Sequence, residues 1–294
     1  RSDLNRLALK IHAHPELGFQ EHSACSWQAK LLQEWGFRVE VPYAGLQTAF
    51  KAVFGKGSPV FCLMSEYDAL PDLGHGCGHN LIATGALGAG LGLAAAMKKD
   101  HLSGTLVVMG TPAEESKGGK VLMIKRGALR GVDACVMAHP SYRTIPDTGS
   151  TAIHRFEAVY KGESAHAAAA PEKARNALDA VMLLFQGINA WRQQMPESSR
   201  IHGVISEGGT MPNVIPDRAS CIFYLRSPDN RAVESMARRF KRIARGAALM
   251  TDTEVQINPW LIPYKARQPN RALNVAFIEA AESMGLNPVV PERA

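Results

Sequence analysis

The 294 residues leave room for one large or two medium domains of about 150 residues each, and an apolar fraction of 46% can fill their cores. Net charge is +6, but the 33 basic and 27 acidic residues are mostly interleaved, which excludes a dedicated polyanion-binding surface over most of the chain. Five cysteines, at 25, 62, 77, 135 and 221, are an odd number without framework spacing, which excludes a disulfide scaffold and indicates a cytoplasmic setting.

The chain opens at Arg1 with no charged-then-apolar leader, so no signal peptide is expected. Leu4, Leu7, Ile11 and then Ala24, Trp27, Leu31, Leu32 repeat at helical spacing on either side of His14-Pro-Glu-Leu-Gly18, which predicts two helices flanking a turn. Val39–Val41 and Ala49–Phe54 alternate as strands. Three short apolar runs follow, Phe61–Met64, Leu106–Met109 and Ala134–Met137, with helices predicted over 81–98 and about 118–128. Leu81–Met97 is apolar but rich in Ala and Gly, and short for a membrane span of about 20 residues; a helix packed in the sheet layers fits it. Strand and helix in alternation predict an α/β, doubly wound sheet.

Near residue 150 the pattern changes. Ile153–Val159, a helix over 176–194, His202–Ile205, Ala219–Tyr224, a helix over 232–249 and Val255–Ile257 give the order β-α-β-β-α-β, a split βαβ of ferredoxin-like type. In the second of those helices Arg238, Arg239, Lys241, Arg242 and Arg245 bunch; this reads as a solvated helix face in preference to a nucleic-acid surface. A last helix is predicted over 272–284, and Pro288-Val289-Val290 reads as a further strand of the first sheet. The division is therefore 1–150 with 260–294 as a metal-binding catalytic domain, and 151–259 as an inserted ferredoxin-like lid and dimerisation domain.

Each of the three apolar runs ends in titratable side chains, and in open α/β sheets working groups gather beyond the carboxyl ends of the strands. The first leads into Glu66, Asp68, His75, Cys77 and His79. One residue separates Cys77 from His79, so in an extended or tight-loop backbone both can turn toward one ion. The second run leads into Glu114-Glu115, where one carboxylate can bind metal while its neighbour, beside an activated water, moves the proton. The bland alternative is a pair of acids opening the next helix and favoured by its dipole. The third ends at His139, a further ligand or a strand-end histidine satisfied by backbone. Mixed S, N and O donors suggest zinc first, with manganese or another divalent ion open, and two neighbouring ions would explain so many ligands. Asp68 and Glu66 are placed to orient those ligands.

These motifs resemble the metallopeptidase family of aminoacylases, carboxypeptidase G and the indoleacetyl-amino-acid amidohydrolases. The likeness rests on His14-Pro-Glu-Leu-Gly18, Ser65-Glu-Tyr-Asp-Ala-Leu-Pro71, Gly76-Cys-Gly-His-Asn80, Pro112-Ala-Glu-Glu115, Met137-Ala-His-Pro140, Gly162-Glu-Ser-Ala-His-Ala167 and Asn213-Val-Ile-Pro-Asp217, in the family's order. Within the amidohydrolase branch it is strongest to the aminoacylase-like dipeptidases. The resemblance implies metal ligation by Cys77, His79, Glu115 and His139, with Glu114 as general base and acid; Asp68, from its place at the strand end, is counted with the catalytic residues. It implies that His166 reaches a partner subunit's active site and steadies the oxyanion, and that Asn213 and Arg226 hold a substrate carboxylate. The family's further metal-binding histidine near the C-terminus has no counterpart after His202, so the catalytic domain is expected to continue past this sequence.

The expected activity is hydrolysis of the amide bond of an N-acyl or N-aminoacyl amino acid with a free carboxylate, served by two zinc or manganese ions per subunit of a homodimer, without nucleic-acid or membrane partners. Alternatives are an aminobenzoyl-glutamate or N-acetyl-amino-acid hydrolase, or a non-catalytic binding protein stapled by metal.

Overall fold

The structure is a computed structural model that describes residues 2–115 and 117–290. It divides into two compact units between Tyr142 and Arg143.

The first unit is built on a five-stranded sheet of order β1-β2-β4-β3-β5. Its strands are β1 (Arg38–Glu40), β2 (Phe50–Lys56), β3 (Val60–Ser65), β4 (Gly104–Gly110) and β5 (Ala134–Val136). β3, β4 and β5 are parallel, whereas β2 runs antiparallel to β4. The middle of β4, Leu106–Met109, is uniformly Leu, Val and Met because it is covered on both faces. Leu106 and Val108 point to one core with α1 (Ser2–Ala13), α2 (His22–Glu34) and α3 (His79–Lys99). Val107 and Met109 point to the other, with Met123 of α4 (Gly119–Lys125). Among the described residues α3 alone is long and apolar enough to cross a membrane, yet Ala83 and Leu87 are buried in the core shared with α1 and α2.

Register decides where the functional side chains fall. Ser65 pairs with Gly110 and Leu63 with Val136, so the three parallel strands end at one edge of the sheet. The segments that follow, 66–79, 111–115 and 137–139, therefore leave from the same edge.

The second unit carries a four-stranded antiparallel sheet, order β7-β8-β6-β9. Its strands are β6 (Ala152–Lys161), β7 (Arg200–Glu207), β8 (Arg218–Ser227) and β9 (Glu254–Pro259). Helices α5 (Ala177–Arg192) and α6 (Asn230–Met250) share one buried cluster with it, including Leu184, Phe223 and Phe240. Both helices start where the sequence supplies a cap: the Asn176 side chain accepts from the Leu178 and Asp179 amides, and Asp229 from those of Arg231 and Ala232. On α6 Arg238, Arg242 and Arg245 are exposed while Phe240, Ala244 and Ala247 are buried, the solvated face its periodicity predicts.

One expected strand is missing. After α7 (Arg271–Ser283) Pro288–Val290 forms no strand; Val289 donates one backbone hydrogen bond to Thr144 (2.8 Å). Pro288 has no amide hydrogen to give, and so short a run supports no ladder.

An Arg267–Asp147 fork ties the start of the second unit to the segment after β9, with guanidinium nitrogens 2.8–3.1 Å from the carboxylate. Burial pushes the Asp147 carboxyl up, but Arg267 and the Gly149 amide outweigh it and hold it below its ordinary value. A depressed folded pKa contributes stability above the unfolded value of about 3.9, and that stability is lost as pH falls through the folded pKa. Arg267→Ala should therefore lower the urea-unfolding free energy by about 1 kcal/mol at pH 7, given the exposed arginine, and by much less near pH 2.

Candidate metal centre

Just beyond β3, Tyr67 is fully buried and donates to the Thr48 carbonyl, while Glu66 and Asp68, each 1% exposed, both face His79. The chain then returns through Cys77 and Gly78, whose φ of +75° suits glycine, and enters α3 at His79. The first residue of that helix is thereby set against Asp68.

His79 is 1% exposed, and its Nδ1 lies 2.9 Å from the Asp68 carbonyl and 3.1 Å from Asp68 Oδ1. Both neighbours only accept, so Nδ1 carries the proton and Nε2 presents a lone pair. That Nε2 is buried without a hydrogen-bond partner. Around it stand Glu115 Oε1 at 3.5 Å, Glu66 Oε2 at 3.7 Å and Glu114 Oε2 at 3.9 Å. One ligand atom each from His79, Glu114 and Glu115 lies within 4.8 Å of the others. A buried lone pair facing carboxylates is repelled unless a proton or a metal cation lies between them, and the N and O donors suit a divalent ion.

The charges report the same need. Burial pulls the His79 imidazole down, but Asp68, Glu66 and Glu115 outweigh it and hold it above its ordinary value. Burial raises the Glu114 carboxyl and the nearby Glu66 adds to this, with Lys120 opposing. The Cys77 thiol is pushed up to about 11 by its hydrogen bond to Glu115, by burial and by the surrounding carboxylates. His139, exposed at the end of the third run, sets its ring centroid 6.1 Å from that of His79, and its Nδ1 lies 2.9 Å from the Pro140 carbonyl. Cys77, His79, Glu114, Glu115, His139 and Asp68 thus gather at one sheet edge.

Glu66, expected to orient the ligands, lies 3.7 Å from His79 Nε2. One feature was not foreseen: the Lys120 ammonium at the start of α4 contacts its other oxygen. The sequence offers only a faint signal for this, a lysine shortly after an acidic pair.

His166, Asn213 and Arg226 belong to the second unit. His166 and Asn213 share a loop pair: the Ala167 amide donates to the Asn213 carbonyl (3.0 Å), and His166 bridges to Val214. Both are exposed. Arg226 lies at the far end of β8, eight residues beyond Arg218 and therefore roughly 26 Å along the strand. The unit brings the first two together and keeps Arg226 apart.

Residues 62–294 match the profile of peptidase family M20/M25/M40. The chain belongs to this family. Among its relatives, the Xaa-Arg dipeptidase of Mus musculus is 35% identical over 96% of the chain and 68% of its own length. A p-aminobenzoyl-glutamate hydrolase polypeptide of Escherichia coli is 34% identical over 95% of the chain and 62% of its own length. A crystal structure of a putative aminohydrolase from methicillin-resistant Staphylococcus aureus superposes with TM-score 0.82 at 21% identity, over 100% of the chain and 81% of its own. A dinuclear metal-binding M20 peptidase of Bacillus subtilis gives 0.76 at 23%, over 100% and 82%. As an M20 protein the chain is a metal-dependent hydrolase of C–N amide bonds, on a doubly wound sheet accompanied by a second α/β unit.

Proposed function

We propose that the chain hydrolyses dipeptides or N-acyl amino acids that carry a free carboxylate, with Glu114 as the proton-transfer group. The observation that carries this is His79 Nε2, buried, unpartnered and ringed by three carboxylates. Cys77, His79, Glu115 and His139 would hold zinc or manganese, with two ions per subunit as the donor count suggests. When bound, such an ion polarises the scissile carbonyl and brings the pKa of a water to about 7.

The chain's own residues divide the remaining tasks. Asp68 fixes the His79 ring and the Glu115 amide, the latter through a 2.9 Å hydrogen bond. Glu114, with 38% of its side chain exposed against 18% for Glu115, faces the solvent side where substrate arrives. It takes the proton of the attacking water and passes it to the leaving amine. His166 donates to the developing oxyanion, and Asn213 and Arg226 bind the carboxylate. The length of β8 between Arg226 and the His166–Asn213 loops exceeds any dipeptide. This supports a homodimer in which two copies contribute to each site, with residues 151–259 as lid and dimerisation module.

A second substrate reading, an acidic leaving residue as in aminobenzoyl-glutamate, is favoured by the charge around Arg226. His202 is pushed below its ordinary value by burial and then by Arg226 and Arg192, a positive field that suits a second carboxylate and opposes a basic residue.

The test is metal content together with hydrolysis, by the full-length protein, of a panel of dipeptides, N-acetyl amino acids and aminobenzoyl-glutamate with varied C-terminal residues. Metal bound with no amide cleaved across the panel would end the enzymatic reading. Arg226→Ala should raise KM about 10- to 100-fold for carboxylate substrates with a smaller change in kcat; an unchanged KM removes Arg226 from the site.

A further inference from the structure

The segment from Pro15 to Glu21 gives no side chain to the metal cluster, yet it touches two of the three segments that carry it, 66–79 and 111–115. The Glu16 carbonyl accepts the Ala69 amide (2.9 Å), next to Asp68. Gly18 backs directly onto Ala113, where an added Cβ would lie 2.9 Å from the Ala113 methyl carbon, and the Gly18 carbonyl receives Lys117 Nζ at 2.8 Å. Glu21, 0% exposed, accepts the Ala113 amide on Oε1 at 2.8 Å. Ala113 is itself fully buried and has φ of +57°, a left-handed conformation that alanine rarely adopts and that surrounding structure must impose. Glu114 and Glu115 follow immediately, so the direction of both carboxylates depends on that turn.

We infer that Glu21 is a positioning residue of the hydrolysis: its buried carboxyl holds the Ala113 amide, and through this left-handed turn it aims Glu114 and Glu115 at His79. The inference rests on the proposed roles of that pair. A buried acid with no such task would be replaceable by an apolar side chain of similar size, because an unpaired carboxyl in a core costs stability. Here the apolar replacement removes the acceptor and leaves the Ala113 amide without one. Burial also raises the Glu21 carboxyl above its ordinary value, so a neutral amide is a close substitute for it. Glutamine retains a carbonyl oxygen at the same reach.

The test compares Glu21→Leu, Glu21→Gln and Gly18→Ala in the full-length protein. Displacing a catalytic group by about 1 Å costs on the order of 100-fold, so Glu21→Leu should lower kcat about 30- to 100-fold with KM within about threefold. It should also weaken zinc binding about tenfold through Glu115, while Glu21→Gln stays within about threefold of wild type in both. Gly18→Ala pushes on Ala113 from the other side and should lower kcat about tenfold. A folded Glu21→Leu with wild-type kcat and zinc affinity overturns the inference, as does a Glu21→Gln as damaged as Glu21→Leu. If Glu21→Leu does not fold, an unaltered kcat in Gly18→Ala overturns it. If the wild-type protein cleaves no amide, the functional reading falls separately, and zinc affinity across the same variants still decides whether Glu21 positions the pair.

Discussion

Replacing Glu114 by glutamine is expected to lower kcat by about 10³-fold while metal content and thermal stability stay at wild-type values, because proton transfer by a positioned group contributes on the order of 10²–10⁴. The two neighbouring glutamates are not equivalent. The Glu115 amide is held by Asp68 and its side chain is 18% exposed, whereas Glu114 is 38% exposed and reaches within 3.9 Å of His79 Nε2 from the open side. Burial, reinforced by Glu66 and opposed by Lys120, holds the Glu114 carboxyl above its ordinary value. In the metal-free protein the base form therefore fills at higher pH than for a free glutamate, and Lys120→Met, which removes the opposing charge, should raise that pH further when the metal-free protein is titrated. Glutamine has the size of glutamate and cannot accept the proton, so a Glu114→Gln enzyme retaining a tenth of wild-type kcat would assign proton transfer to another group.

The strands were legible because their residues are almost uniformly apolar. Leu106–Met109 faces two cores at once, one with Leu87 and one with Met123, and only a strand covered on both faces tolerates that run. The β-α-β-β-α-β order was legible for a related reason: alternation in β6 and β8 changes to helical spacing in α5 and α6 at visible caps, Asn176 and Asp229. Pro288–Val290 misled because three residues carry too little pattern to tell an isolated backbone contact from a ladder. At the site, each of the residues gathered around His79 follows a strand end or opens a helix, positions the chain order reveals. The Glu66–Lys120 contact and the Glu21–Ala113 bond span 54 and 92 residues, and no local pattern encodes a partner at that distance. The left-handed φ of Ala113 is equally hidden, since alanine gives no sign of it.

Asp68→Asn is expected to weaken zinc binding about 10- to 100-fold and to lower kcat/KM at least as much, although Asp68 contacts no substrate. The aspartate accepts at both oxygens, from His79 Nδ1 at 3.1 Å through Oδ1 and from the Glu115 amide at 2.9 Å through Oδ2. Those two bonds, with the Glu114 amide, outweigh the upward push of burial and hold its carboxyl below the ordinary value, which shows that the surroundings favour the charged form. Asparagine has one acceptor and one NH2 group for these two donors. If its oxygen keeps the Glu115 amide, the NH2 faces Nδ1 and favours the tautomer with the proton on Nε2, directed at the three carboxylates where a cation would sit. If its oxygen keeps His79, the NH2 opposes the Glu115 amide and the carboxylate pair shifts. Either orientation damages one half of the donor set, so isothermal titration with zinc should register the loss independently of turnover. His79→Ala removes the buried nitrogen outright and should lose more zinc affinity than Asp68→Asn. Wild-type zinc affinity in Asp68→Asn would mean that neither the imidazole tautomer nor the Glu115 backbone is set by the Asp68 side chain, and that the lone pair at Nε2 is maintained by the Asp68 backbone carbonyl, 2.9 Å from Nδ1.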